Sequence, residues 1–324
     1  MPDVGALFGA YAQLYHDDFF RDLRKKGHTV HARYAEGDSQ PGGKLDQLAA
    51  ELVGLSPCVI TTADTPAAYA AVQARDAVGR TDDIAIVMSV VSNVDQVWPG
   101  GLPTNVCALT DFPQNEDRSA IRLQLLIQLL SNPQNPAGSL VPNPVNVVAV
   151  IVNEENPGLQ RELDRTTNAG AASVPRIDVK PLFVQGPDWD ASLDAALNSI
   201  DVDAPNAVAL MVIAEPVLFQ RRAKILEFVR RRNLPDFWEG LAPVTGQGLI
   251  CWGVPRPTAY TEAAKLIDQL CKGTRSVVGQ PLQLIALKTS DVFINADIAG
   301  ALKIAVPEQL TVPAVEKPFK VRPV

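Results

Sequence analysis

Val147-Val148-Ala149-Val150-Ile151-Val152-Asn153-Glu154-Glu155-Asn156-Pro157 is the stretch on which the fold turns. Its first six residues are apolar and, Ala149 apart, β-branched, which suits a strand buried on both faces. Polar residues then end the run, and Pro157 opens a helical pattern that continues to Ala169. Proline suits a first helical position because it lacks the amide hydrogen that would be orphaned there and its φ is already helical. A two-sided apolar strand running directly into a helix is the βα unit of a parallel sheet.

The same alternation extends outward in both directions. Downstream, strands are predicted at Asp178 to Phe183, Ala207 to Ile213, Asp236 to Trp238 and Leu249 to Trp252. Helices are predicted at Trp189 to Ser199, over one long run from Val217 to Arg232, and at Thr258 to Lys272. Upstream, strands are expected at Val4 to Phe8, His28 to Tyr34, Cys58 to Thr62, Ile84 to Ser89 and Val106 to Leu109. Helices are expected at Tyr11 to Lys26, Lys44 to Leu55, Pro66 to Val78 and Ser119 to Leu130. Ser131 to Pro144, rich in Pro and Asn, reads as a surface loop. Thr311 to Val324 carries three prolines and reads as an extended tail. Two successive runs of βα units, meeting at Thr110 to Arg118, predict an α/β protein of two similar parallel-sheet lobes.

Composition excludes several function classes. The chain has 324 residues, 47% hydrophobic and 20% charged, with a formal net charge of −7. No Lys/Arg block is long enough to track a nucleic-acid backbone, and the run from Gln220 to Arg232 has the spacing of a solvated helix face. No DNA-reading helix-turn-helix stands at either end, so no nucleic-acid partner is expected. No apolar stretch reaches the length of a membrane span. Met1-Pro2-Asp3-Val4 is neither basic nor followed by a long apolar core, so it lacks the pattern of a signal peptide. Four scattered cysteines without a CxxC pair, and three histidines all before residue 32, argue against a zinc site. Cys58, Cys107 and Cys251 lie in or beside apolar strands and read as small buried hydrophobes. GxGxxG, Walker-type and GxSxG motifs are missing, so neither a nucleotide cofactor nor a nucleophile elbow is indicated. His16, His28 and His31 fall on the first helix and second strand, away from the strand ends where a catalytic triad would need one.

In open parallel sheets ligands bind at the carboxyl ends of the strands. Strand Cys58–Thr62 ends in Ala63-Asp64-Thr65-Pro66, strand Val147–Val152 in Asn153-Glu154-Glu155-Asn156-Pro157, and strand Ala207–Ile213 in Ala214-Glu215-Pro216. Asp64 and Asn156 are candidate caps. Several helix N-termini aimed at one place favour a carboxylate or another acceptor-rich ligand. Trp238, followed by Glu239, and Trp252 end strands, and a tryptophan in a wet cleft offers a flat apolar face and one N–H donor. The candidate ligand contacts are therefore Phe8, Thr62, Ala63, Asp64, Ser89, Val91, Ser92, Asn153, Glu215, Pro216, Glu239 and Trp252. No residue is assigned a catalytic or metal-binding role.

These segments also carry a family resemblance. Leu45-Asp46-Gln47-Leu48-Ala49-Ala50-Glu51-Leu52-Val53, then Val59-Ile60-Thr61-Thr62 and Thr65-Pro66-Ala67-Ala68, resemble a stretch of ABC-transporter substrate-binding proteins, in the family that includes tryptophan and tyrosine binders. Asn105 to Asp111, Val148 to Asn153 with Asn156-Pro157, Ala214-Glu215-Pro216, Leu234-Pro235 with Trp238-Glu239, Gly248 to Gly253, and Ile294-Asn295 with Ala301 to Pro307 are similar to further family segments in the same order. The chain departs from the family at Ser89 to Gln96, where a Thr-Asp-Pro-Val-Gly motif is common, and at Asp64, which replaces a glycine.

The resemblance implies a periplasmic-binding fold of type I, with two lobes closing on a ligand around a three-segment hinge. Lobe one would be residues 1–112 plus 253–283 and lobe two residues 113–252 plus 284–324, with crossovers near Thr110–Arg118, Trp252–Val254 and Pro281–Leu284. It implies a monomer in the periplasm or cell envelope that delivers a small carboxylate-bearing molecule, such as an amino acid, to ABC permease subunits. It implies no cofactor and no reaction. Two alternatives stay open: an enzyme on the same architecture using Asp64, Glu215 or Glu239 as acid or base, and a ligand-sensing module.

Overall fold

A computed structural model of the protein describes residues 2–9, 13–35, 43–63, 65–89, 98, 102–110, 118–136, 139–140, 145–154, 157–200, 207–213, 216–239, 241–253, 256–274, 283–286, 291–311 and 319–324. The chain divides into two compact units, one of Met1–Gln114 with Val254–Lys288 and one of Asn115–Gly253 with Thr289–Val324.

In the first unit the chain runs β1 (Asp3–Gly9), α1 (Gln13–Lys25), β2 (Thr29–Ala35), α2 (Lys44–Gly54), β3 (Val59–Thr62), α3 (Thr65–Ala77), β4 (Ala85–Met88) and β5 (Val106–Thr110). These strands, with β11 (Gln283–Ala286) from later in the chain, form a six-stranded sheet in the order β11-β5-β4-β3-β1-β2, and every pairing is parallel. β3 and β4 are buried along their whole length. That is why their sequences, Val-Ile-Thr-Thr and Ala-Ile-Val-Met, do not alternate with polar residues. Val59, Val87 and Phe8 face one core layer, and Ile60, Ile86 and Leu7 face the other, which α2 and α3 cover.

The second unit begins with α4 (Arg118–Leu130), β6 (Val145–Asn153), α5 (Pro157–Ala172), β7 (Asp178–Val184), α6 (Trp189–Asn198) and β8 (Ala207–Val212). It continues through α7 (Pro216–Gln220), α8 (Arg222–Arg231), β9 (Asp236–Trp238), α9 (Leu241–Gly246) and β10 (Ile250–Trp252). The chain then supplies α10 (Arg256–Cys271) and β11 (Gln283–Ala286) to the first unit. It returns as β12 (Asp291–Ile294), α11 (Ala296–Ala301), β13 (Gln309–Leu310) and β14 (Phe319–Pro323). The second sheet has eight strands in the order β13-β14-β12-β10-β9-β8-β6-β7. It is parallel from β7 to β10, and β12 enters antiparallel to β10. Gly170 lets α5 approach the segment before β7, since a Cβ there would sit 2.8 Å from the Ile177 carbonyl oxygen.

The two-sheet α/β architecture agrees with the sequence reading, and four details differ. The run from Val217 to Arg232 is two helices, broken at Arg221. The expected extended tail contains β14, where Phe319 and Val321 alternate into the core while Lys320 and Arg322 point out. β11 pairs with β5, which places Gln283–Ala286 in the first sheet. Finally, Cys58 and Cys271 form a disulfide with Cα atoms 5.4 Å apart, where Cys58 was expected to be a reduced apolar residue. Cys107 and Cys251 are buried and stand outside the disulfide, as expected, and burial pushes the Cys251 thiol well above its ordinary range.

Candidate functional site

Each unit has carboxyl ends of its own parallel strands, the end at which such sheets bind ligands. In the first unit, Phe8 near the end of β1 is fully buried. Its ring lies 3.9 Å from the His16 ring, centroid to centroid, and 5.8 and 6.1 Å from Phe20 and Tyr34. His16 Nδ1 is 3.3 Å from the Tyr34 hydroxyl, and Tyr260 meets the imidazole edge-on at 5.8 Å. The expectation that the histidines stand away from strand ends is therefore corrected for His16, which the first turn of α1 folds back over β1. Burial, with Asp17 nearby, pushes the Tyr34 hydroxyl pKa up against the opposing pull of Arg24.

At the ends of β3 and β4, Thr62, Ala63 and Ser89 are all buried. The Ser89 hydroxyl meets the Thr61 hydroxyl at 2.6 Å, and the Ser89 N–H donates to the Thr62 carbonyl at 2.7 Å. Thr62 points to the opposite face from Thr61, and its hydroxyl finds no hydrogen-bond partner among the described residues. The sequence thus brings Thr62 and Ser89 together through neighbouring strands. Asp64, Val91 and Ser92 lie outside the described residues.

In the second unit, Asn153 ends β6 and is buried, and the next residue, Glu154, donates its N–H to the Val184 carbonyl of β7 at 3.0 Å. α5 opens directly beyond at Pro157, and Pro216 opens the short α7. Glu215 lies outside the described residues. Glu239 follows β9, and its carboxylate takes a hydrogen bond from Arg122 Nη2 at 2.5 Å. Arg122 Nη1 reaches Glu162 at 3.4 Å, and the Ser119 hydroxyl donates to the same Glu162 oxygen at 2.5 Å. Arg118 adds a looser pairing at 3.8 Å. Burial opposes the charged form of Glu162, yet Arg122, Arg118, the Ser119 hydroxyl and Arg165 together hold its carboxyl below the usual range.

This buried network escaped the sequence reading because Glu162 and Glu239 are distant in the chain from their arginines. The signal was there in α4: two arginines spaced i, i+4 on the face of a helix otherwise filled with Leu and Ile. Long charged side chains on an apolar face need buried partners. Glu239, expected to face a ligand, is held by Arg122.

Both strand-ending tryptophans are buried. Trp238 is fully buried, and its indole N–H donates to Asp236. Asp236 is itself buried, accepts from the Leu249 N–H at 3.3 Å and pairs with Arg230, whose pKa burial lowers to about 10. Trp252 is 2% exposed and meets the Phe319 ring edge-on at 5.3 Å, so its flat face packs inside the unit. Among the described residues, no three His, Cys, Asp or Glu side chains gather so as to hold a metal ion, and no helix is long and apolar enough to cross a membrane.

No protein-family model and no curated protein matches this chain by sequence. Solved structures match by fold. The ABC domain from Streptococcus pneumonia in complex with L-Trp matches with a TM-score of 0.71 at 15% identity, covering 95% of this chain and 96% of that one. A conserved domain protein from Vibrio cholerae matches at 0.72 and 17% identity, covering 95% and 97%. The ligand-free, open structure of a substrate-binding protein with adhesive properties from Clostridium difficile matches at 0.61 and 16% identity, covering 100% and 99%. At lower similarity stand an Agrobacterium radiobacter carbohydrate-transporter binding protein in complex with D-arabinose, TM-score 0.56, and a LacI-type regulator from Bacteroides fragilis, TM-score 0.58. The chain has the two-sheet α/β fold that ABC-transporter solute-binding proteins share with LacI-type regulators.

Proposed function

We propose that the protein is a solute-binding protein that captures a small molecule at the carboxyl ends of its parallel strands and delivers it to a membrane importer of the ABC class. The observation that carries this reading is the fold likeness over 95% of the chain to a structure holding L-Trp. The ligand favoured is a carboxylate-bearing one, an amino acid or a relative. β3 runs into α3 at Thr65 and β6 into α5 at Pro157. Helices of that length present free amides and partial positive charge at their first turns. With Glu239 taken by Arg122, a ligand amine falls to Asp64 or Glu215. Such a protein acts in the periplasm or cell envelope and leaves its ligand chemically unchanged.

The test has two stages. Small molecules released by denaturing the purified protein are identified by mass spectrometry. Amino acids, aromatic acids and sugars are then screened for thermal stabilisation. A ligand at a hundredfold excess over its Kd adds about 2.7 kcal/mol of stability, an easily seen shift. Stabilisation by amino acids supports the reading. Stabilisation by sugars alone overturns the ligand class, and conversion of the ligand on prolonged incubation overturns the binding role.

A further inference from the structure

We propose that the Cys58–Cys271 bridge is a maturation site that covalently closes the first unit around the chain excursion that builds the second. The first unit is assembled from two separate segments, Met1–Gln114 and Val254–Lys288, with residues 115–253 inserted between them. The second segment contributes only α10 and β11 among its described elements. Cys58 lies just before β3 in the first segment, and Cys271 is the last residue of α10 in the second, 213 positions later. The bond therefore joins the two segments directly.

Its surroundings fit a docking seam for α10. Ala263, Ala264 and Ile267 pack against Phe19, Phe20 and Leu23 of α1 and the β1–β5 face. Asp268, one turn before Cys271, accepts from His28 Nε2 at 2.8 Å, and His28 is buried just ahead of β2. Lys272 also pairs with Asp268, at 2.9 Å. Burial works against the Asp268 charge, but the Lys272 and His28 hydrogen bonds together lower its pKa. The apolar face and the ion pairs seat the end of α10 on the amino ends of the strands, and the sulfur bridge fixes it there. Both cysteines are half-buried, so a thiol reagent can reach them, whereas Cys107 and Cys251 are enclosed.

Formation is thiol–disulfide exchange with an external disulfide. The Cys58 and Cys271 thiols give up two protons and two electrons, the S–S bond forms between them, and the donor disulfide is reduced to two thiols. Such donors prevail in extracytoplasmic, oxidising compartments. The inference does not depend on which solute is bound.

The test uses the whole chain. Wild-type protein exported to an oxidising compartment is nicked by a protease within residues 115–253 and compared by mass with and without reductant. The expected result is one covalent species carrying both segments of the first unit, which separates only on reduction. Separation without reductant, or four titratable thiols in the unfolded unreduced protein, overturns the proposal. Hydrogen exchange then reads the consequence in wild type reduced under native conditions, and in Cys58→Ser/Cys271→Ser where that variant folds. Amides of α10 should exchange at least about tenfold faster without the bridge while those of β6 and β8 stay unchanged, because local opening is confined to the element released. Equal α10 exchange in the oxidised and reduced protein overturns the closing role.

Discussion

Arg122 of α4 and Glu239 at the end of β9 stand 117 residues apart and meet as a buried ion pair, with side chains only 2% and 7% exposed. The other arm of Arg122 rests on Glu162 of α5. One guanidinium thus fixes two carboxylates, and the first turn of the same helix supplies Arg118 and Ser119. Buried charges that match and are hydrogen-bonded can be held, but removing one strands the rest.

Glu162→Gln should therefore cost about 3–5 kcal/mol near neutral pH, because Arg118 and Arg122 lose a buried counter-charge. The pH dependence has a definite sign. Glu162 is held below its ordinary value of 4.5 in the folded state. A depressed carboxyl pKa contributes stability that is fully present above the unfolded value and is lost as pH falls through the folded one. Wild-type protein should weaken in acid below about pH 4.5, and Glu162→Gln should show a shallower fall. Denaturant midpoints across pH 3–7 check this; parallel curves for the two proteins would show that Glu162 is not the titrating group.

Thr62→Val should be tolerated or mildly stabilising in the ligand-free protein. The Thr62 side chain is fully buried and its hydroxyl has no partner among the described residues. Valine has the same shape without the polar atom, so the unmade hydrogen bond of about 1–3 kcal/mol is relieved. A loss above about 1 kcal/mol in thermal or urea unfolding would mean that the hydroxyl is bonded in solution.

Trp252→Ala should act first on stability. With 2% exposure and the Phe319 edge against it, Trp252 fills a packed space, and truncation should cost about 3–5 kcal/mol. Emission from a variant that keeps Trp252 as its sole tryptophan should be blue-shifted and poorly quenched by iodide. Red-shifted, readily quenched emission from a Trp252-only variant would show the indole facing water.

Reducing the Cys58–Cys271 bridge should lower the denaturation midpoint. For a 213-residue loop, chain entropy sets a ceiling of about 5 kcal/mol, and about 2–4 kcal/mol is typical of measured bridges. Unfolding curves of wild type with and without reductant measure it, and coincident curves would show that the bridge adds no stability.

Much of this protein was legible along the chain. Val147 to Val152 announces a strand buried on both faces because parallel sheets sandwiched by helices need apolar residues on every position. Pro157 marks the helix start because its missing amide is harmless only there. Those signals are local, and so the βα alternation and the two-sheet fold follow from sequence. The edges of the pattern failed where local signals are weak. β14 spans five residues among prolines and becomes a strand because β12 and β13 pair with it. β11 joins the first sheet because β5 offers a free edge there.

The site was decided by tertiary structure. Whether Glu239 is available to a ligand depends on Arg122, and whether Trp252 is wet depends on Phe319, partners that folding alone brings near. The same holds for Cys58, whose apolar neighbours look like an ordinary core until the end of α10 arrives from 213 residues away. Local sequence sets which face a side chain takes on its element, since that is geometry within a few residues. What that face meets is set by contacts between segments far apart in the chain, and these carry the charges, sulfurs and rings on which function turns.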